Sequence, residues 1–364
     1  MRKILFGILV CIPCFGWAQN YSALVFSDIH LSLYRDQDAR RNCDADTSLF
    51  RSALKVASGK YKYILLPGDL MQHGNTHDTN SLRKTFTYIF SHLHQIDPNA
   101  IIIPSLGNND CLNHNEPDNT TFRIFYDCLL KCLDKDGTIS NDFLTGGYYQ
   151  YTSGGLSFLS LNTVLFRNNS DFNTRELDWL EQHLVQDSAN KQDVWIMYHI
   201  PPGTDSDRVR HVPTQRWDSS LEQRYARLMR RFAPIIKYQQ AGHLHMDDNK
   251  LIMQHGRLSS YIHISPGINY RNGNNPAFQV LHADKYLNTV KEIITHYSDT
   301  SGCQWNSYSF RNFSFSFLIH FITRNTEGIE YMRHLSTNRP DKANRFGIPS
   351  WNEVFAKRSE IGNR

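Results

Sequence analysis

Short apolar runs recur along the chain at 23–26, 63–66, 101–104, 156–161, 194–198 and 235–238. They have the length of buried strands and are too brief for buried helices. Elsewhere apolar residues fall at helical spacing, with Leu82, Phe86, Ile89 and Leu93 in one stretch and Leu177, Leu180 and Leu184 in another. Asn173 followed by Glu176 has the form of a capping pair and predicts that the second helix opens there. Strands alternating with helices predict a layered α/β domain. Past about residue 285 the rhythm changes. Phe313, Phe315 and Phe317 alternate with Ser314 and Ser316, which predicts a half-buried strand. The charged, amide-rich remainder predicts a helix-containing tail packed on the domain.

Polar clusters follow five of the runs directly: Asp28-Ile-His30, Gly68-Asp69, Gly107-Asn-Asn-Asp110, His199, and Gly242-His-Leu-His245. Taken singly, each is an ordinary turn or surface loop. Together they stand at five strand ends, and ligand sites in α/β sheets form in the crevice beyond the carboxyl ends of strands. Carboxylate and amide oxygens suit hard divalent cations, and imidazole suits zinc, iron and their neighbours. A mixed Asp/Asn/His set therefore points to first-row transition metals. Two such ions about 3.5–4 Å apart can clamp a phosphate and lower the pKa of a shared water, which then acts as nucleophile. Asp69 is the natural carboxylate to bridge them.

Residues 1–18 begin with Arg2 and Lys3 and run through an apolar stretch to Trp17, with Gly16 and Ala18 placed for cleavage after Ala18. The stretch is shorter than the roughly 20 residues a spanning helix needs, so it reads as a signal peptide of a secreted or periplasmic protein. Its loss would take the two basic residues from a formal charge of +4, too little for nucleic-acid or membrane binding by bulk charge. Of seven cysteines, Cys43, Cys111, Cys128, Cys132 and Cys303 lie beyond the leader, an odd number whose pairing the sequence leaves open.

The five clusters, in this order, resemble the motifs of the calcineurin-like metallophosphoesterases: Asp-x-His, Gly-Asp, Gly-Asn-His-Asp/Glu, a lone His, and Gly-His-x-His. Within that superfamily the chain is most similar to the acid sphingomyelinase-like phosphodiesterases. That likeness rests on Cys43-Asp44, Gly146-Gly-Tyr-Tyr149, Leu161-Asn-Thr163, His199-Ile-Pro-Pro-Gly203 and Asn275-Pro276, and it spans roughly residues 22 to 285. It implies a four-layer α/β/β/α sandwich with a C-terminal extension. The expected division is a leader at 1–18, a catalytic domain at 19–285 and an extension of unknown role at 286–364. It also implies two divalent metal ions, zinc favoured, with manganese and iron open. One would be held by Asp28, His30, Asp69 and His245, the other by Asp69, Asn108, His199 and His243.

The chain departs from the family at Asn109, where the usual residue is a histidine that contacts phosphate and protonates the leaving group. Asparagine donates a hydrogen bond but delivers no proton. The Gly-Asn-Asn-Asp form is similar to that of endopolyphosphatases in the same superfamily. His73 matches a second active-site histidine of the sphingomyelinase-like branch, which makes it the expected general acid, with His114 the weaker substitute. His73, Asn109 and His114 are the expected substrate contacts. Purple acid phosphatases carry a Tyr three residues after the bridging Asp; here that residue is Gln72. Acid sphingomyelinases proper carry an N-terminal lipid-extracting domain, and here the first motif follows the leader by about ten residues.

The expected activity is hydrolysis of a phosphodiester or phosphoanhydride bond in a small soluble substrate of nucleotide, polyphosphate or phosphorylcholine type. Neither a nucleic-acid partner nor stable membrane insertion is expected, and the chain should act as a monomer. The alternative is a family member that keeps its metals, has lost chemistry with the missing histidine, and acts as a binding protein.

Overall fold

The computed structural model describes residues 20–34, 43–206, 213–254, 257–271, 274–298 and 304–311. Two sheets of six strands each carry the fold. The six strands that come first along the chain are β1 (Asn20–Val25), β2 (Tyr63–Leu66), β3 (Ile101–Pro104), β4 (Tyr149–Ser153), β5 (Leu156–Ser160) and β6 (Asp193–Met197). They are followed by β7 (Ile236–Ala241), β8 (Asp248–Gln254), β9 (Arg257–Ile264), β10 (Ala277–Asp284), β11 (Val290–Ser298) and β12 (Trp305–Arg311). The first sheet has the order β12-β11-β10-β1-β2-β3 and the second β8-β9-β7-β6-β5-β4. In the first, β1, β2 and β3 run parallel. In the second, β5, β6, β7 and β9 run parallel.

Alternation along β6 shows how the layers form. Trp195 and Met197 belong to the core between the sheets, whereas Val194 and Ile196 belong to the core on the opposite face. Successive strand residues point to opposite faces, so a strand covered on both sides must be apolar throughout. The inter-sheet core is aromatic: the Tyr63 ring sits edge-on to Phe158 at 4.7 Å, and Phe158 edge-on to Trp195 at 5.7 Å.

Helices α1 (Thr47–Val56), α2 (Thr79–Ile96), α3 (Asn119–Phe125) and α4 (Thr138–Gly146) add their buried side chains to the core of the first sheet, with Phe50 edge-on to Phe26. Helices α5 (Asp171–Ala189) and α6 (Ser219–Arg231) pack on the second sheet through Leu177, Leu180, Leu184, Leu221 and Tyr225. The result is the expected α/β/β/α arrangement. Among the described residues no helix is long and apolar enough to cross a membrane.

Two local expectations need correcting. Helix α5 opens two residues before Asn173, and its cap is Ser170, whose hydroxyl accepts the Asn173 N–H. Glu176 is buried instead, accepting the backbone N–H of Asn162 at 2.7 Å. The boundary at 285 falls inside a sheet, because β11 pairs with β10 and β12 with β11, so residues 290–311 extend the same sheet. The leader, the 313–317 alternation, the tail beyond it and Cys303 lie outside the described residues. Cys43, Cys111, Cys128 and Cys132 are unpaired thiols.

Candidate metal centre

The parallel strands β1, β2, β3, β6 and β7 all end toward the same side, and each releases one polar cluster there. Backbone hydrogen bonds lock the loops together: Asp28 N–H donates to Gly68 O, His30 N–H to Asp69 O, and Gly242 N–H to His199 O, each at 3.0 Å. Asp28, His30, Asp69, His243 and His245 have positive φ between 46° and 72°. Such a backbone is unfavourable for non-glycine residues, and it clusters at functional sites where the surroundings enforce it. Gly107 has to be glycine for a related reason. A Cβ there would collide with the backbone nitrogen and carboxylate of Asp69.

These loops bring the seven expected ligands into two groups that meet at Asp69. Its Oδ2 lies 3.4 Å from His30 Nε2 and 3.1 Å from His199 Nε2. On the first side His30 Nε2 and His245 Nε2 are 3.2 Å apart, and Asp28 Oδ1 is 3.4 Å from His245 Nε2. On the second, Asn108 Oδ1 lies 2.9 Å from His199 Nε2 and 3.1 Å from His243 Nδ1.

The outer nitrogens explain what the inner ones can do. Nδ1 of His30 faces the Met71 carbonyl, Nδ1 of His199 the Pro67 carbonyl, and Nδ1 of His245 the Asn269 amide oxygen, at 2.8 to 3.1 Å. Each Nδ1 therefore donates, which turns Nε2 of each ring inward and, on His30 and His245 in their neutral form, leaves it a lone pair there. The inward nitrogens of His30 and His245 lie only 3.2 Å apart, and in the neutral rings both present lone pairs. A cation resolves that clash, and the donor set fits a divalent one.

Protonation points the same way. Burial and the neighbouring His73 pull His30 down to about 3, and burial lowers His243 as well. Burial raises Asp69, but the charge and hydrogen bond of His199 outweigh it and hold the carboxyl well below its usual range. Burial would also lower His199, yet Asp69 lifts it to about 9. The proton held on His199 thus sits where a cation would compete for the same carboxylate. Burial and the Asp69 charge push Asp28 up to about 7 against the pull of His199.

His73 lies beside this cluster, its ring stacked on His30 at 3.7 Å, and its side chain is 29% exposed. Its Nδ1 is 2.6 Å from Asp44 Oδ1, its backbone N–H donates to Asp44 Oδ2, and Arg271 Nε also reaches Asp44. Asn109 is turned toward Asp69, to which it donates from both its backbone N–H and its side-chain Nδ2 at 2.7 Å. His114 Nε2 is 2.7 Å from Asn108 Nδ2, and its Nδ1 is 3.2 Å from Asn115 Nδ2.

Sequence reasoning missed three supports. Asp110 accepts four backbone N–H groups, from Gly107, Asp69, Leu70 and Met71, and so clamps the β2 and β3 loops together. Asn269 holds His245 and donates to the Asp28 carbonyl. Asp44 holds His73. Asp110 and Asp44 belong to motifs already quoted, where they had no assigned role; nothing in the sequence marks Asn269.

The calcineurin-like phosphoesterase family model matches residues 21–247. Sphingomyelinase phosphodiesterase D of Dictyostelium discoideum is 23% identical over 277 residues, covering 71% of this chain and 62% of that protein. A cyclic GMP-AMP phosphodiesterase of Mus musculus is 23% identical over 283 residues, covering 70% of this chain and 62% of that protein. The chain thus spans about three fifths of the length of these relatives. Purple acid phosphatase PPD1 of Lupinus luteus aligns in structure with a TM-score of 0.48 and 12% identity, over 81% of this chain and 54% of its own. With its family model matched from β1 through the last histidine motif, this chain belongs to the calcineurin-like phosphoesterase family.

Proposed function

We propose that the protein is a secreted hydrolase that uses two divalent ions, zinc by preference, to cleave a phosphodiester or phosphoanhydride bond of a soluble substrate. The observation that carries the reading is the pair of inward ring nitrogens on His30 and His245, 3.2 Å apart, next to the Asp69 carboxylate. Family membership implies divalent ions. Asp28, His30, Asp69 and His245 would hold one and Asp69, Asn108, His199 and His243 the other. When bound, such a pair neutralises phosphoryl oxygens and lowers the pKa of a water between the two ions.

The chain's own groups do the rest. Asp44 accepts from His73 Nδ1; as the imidazolium, His73 would carry a second proton on Nε2, which faces the leaving group and passes to it, leaving the neutral ring. Burial raises Asp44, but its hydrogen bond to His73 prevails and holds it at about 2, so the pair stays ionised on the carboxylate side at neutral pH. Asn109 spends one side-chain N–H on Asp69 and keeps a second for a phosphoryl oxygen. With one proton donor in place of two, leaving groups that are good anions suffer least, which favours nucleotide or polyphosphate substrates. The relatives named for cyclic GMP-AMP hydrolysis support a nucleotide type.

The test is turnover of bis-p-nitrophenyl phosphate by the metal-loaded protein and its loss in Asp69→Asn. If the wild-type chain binds ions and turns over no phosphoester in a panel of nucleotides, polyphosphate and phosphorylcholine esters, the Asn109 substitution has left a binding protein, and the enzymatic reading fails.

A further inference from the structure

The Asn108 amide has two unlike ends, and a cation tolerates only one of them. Its oxygen lies between His199 Nε2 and His243 Nδ1, at 2.9 and 3.1 Å, while Nδ2 lies 2.7 Å from His114 Nε2. An amide nitrogen only donates, so His114 Nε2 must carry the lone pair of its ring, with the ring proton on Nδ1. As placed, Asn115 Nδ2 faces that nitrogen at 3.2 Å; a half-turn of this half-buried amide would put its oxygen there to accept the proton. Were Asn108 turned over, its two N–H groups would point into the cluster of histidine nitrogens and exclude a cation.

We infer that His114 is a positioning residue whose Nε2 lone pair sets the Asn108 amide with its oxygen toward the second ion. The inference rests on the two-ion reading above and gives His114 a task other than touching substrate, since both of its ring nitrogens already face amides. The loop that carries it is built to hold it still. His114 N–H donates to Asn75 O at 3.0 Å, His77 N–H to Leu112 O at 2.8 Å, and Asn115 N–H returns to Asn108 O at 3.1 Å. Asn115 closes this turn at φ 66°, a left-handed backbone that favours glycine and that asparagine tolerates better than most residues.

The test is metal uptake, measured as ion stoichiometry and as affinity by chelator competition with zinc, on the full chain. Wild type should hold two ions. In His114→Leu the second should weaken by about 10–100-fold, the range for groups that orient a metal ligand, with the first unchanged. His114→Gln presents an oxygen near the place of Nε2 and should restore the second ion.

The decisive arm is the Asn108→Asp background. A carboxylate presents oxygen at either end, so His114→Leu should cost nothing further there, and any damage to the loop is common to both backgrounds and cancels. Two ions at wild-type affinity in His114→Leu, or an equal loss in both backgrounds, overturns the inference and leaves the two-ion reading standing. A wild-type chain that takes up no ion overturns both.

Discussion

Replacing Asp110 by Asn changes one oxygen to an NH₂ group with almost no change in shape. In the folded chain Oδ1 accepts the N–H groups of Leu70 and Met71 at 2.8 and 3.0 Å, and Oδ2 those of Asp69 and Gly107 at 2.9 Å each. Whichever way the new amide turns, its oxygen keeps one pair of donors and its NH₂ confronts the other. Two hydrogen bonds to a charged acceptor are lost, at about 1.5–3 kcal/mol each, and two buried donors are left unmet. Local relaxation recovers part of this, so the expected loss is about 3–5 kcal/mol, a large share of the roughly 5–15 kcal/mol that holds a domain together. The measurement is urea unfolding of both chains with chelator present, at pH 8. Burial and the Asp69 charge raise the Asp110 carboxyl to about 6, so at that pH it is ionised and the comparison is clean. Asp110→Asn should also lose metal uptake, because the clamp joins the loops of Asp69 and Asn108. A loss under about 1 kcal/mol with normal metal content would refute the clamp.

Other perturbations reach different parts of the account. Glu176 is buried and raised from 4.5 to about 8, so between those values the folded chain keeps a proton that the unfolded chain has released, and stability falls as pH rises through that window. Glu176→Gln should remove this dependence and gain on the order of 3 kcal/mol over wild type at pH 7, at 1.36 kcal/mol per unit; parallel stability curves from pH 4 to 8 would contradict it. Gly107→Ala should abolish metal uptake, since its Cβ would strike Asp69, and a variant with two ions bound would show that the loop yields. His73→Asn should slow hydrolysis of alkyl phosphodiesters by about 10²–10⁴ and p-nitrophenyl esters much less; equal slowing of both would remove the proton-donor role.

The strands that carry the site were legible because they are buried on both faces, so runs such as Tyr63–Leu66 and Val194–Met197 are continuous apolar segments that stand out. Strand β11 was not, because its buried positions are scattered and its sequence mixes Val290, Ile293 and Thr295 with Lys291, Glu292 and His296. Helix α5 was found from its leucines but misplaced at its start, since Ser170 and Asn173 both have side chains able to cap and only the fold decides which does. Motif residues announced their chemistry but not their direction. Asn109 follows the strand end like a substrate contact, yet its amide is turned onto Asp69, and Asp110 looks like a ligand yet faces four backbone N–H groups. Asn269, reaching His245 from a loop after β9, has no local pattern at all. Composition tells which atoms are available, and only packing tells which of them meet.

Crystals of the wild-type chain soaked in zinc or manganese, with anomalous scattering collected at the metal edge, test the central claim directly. The account predicts two peaks about 3.5–4 Å apart on either side of the Asp69 carboxylate, one against His30 and His245, the other against Asn108, His199 and His243. A map with no peak among these residues, or with the imidazole rings turned away from a single ion elsewhere, would contradict it.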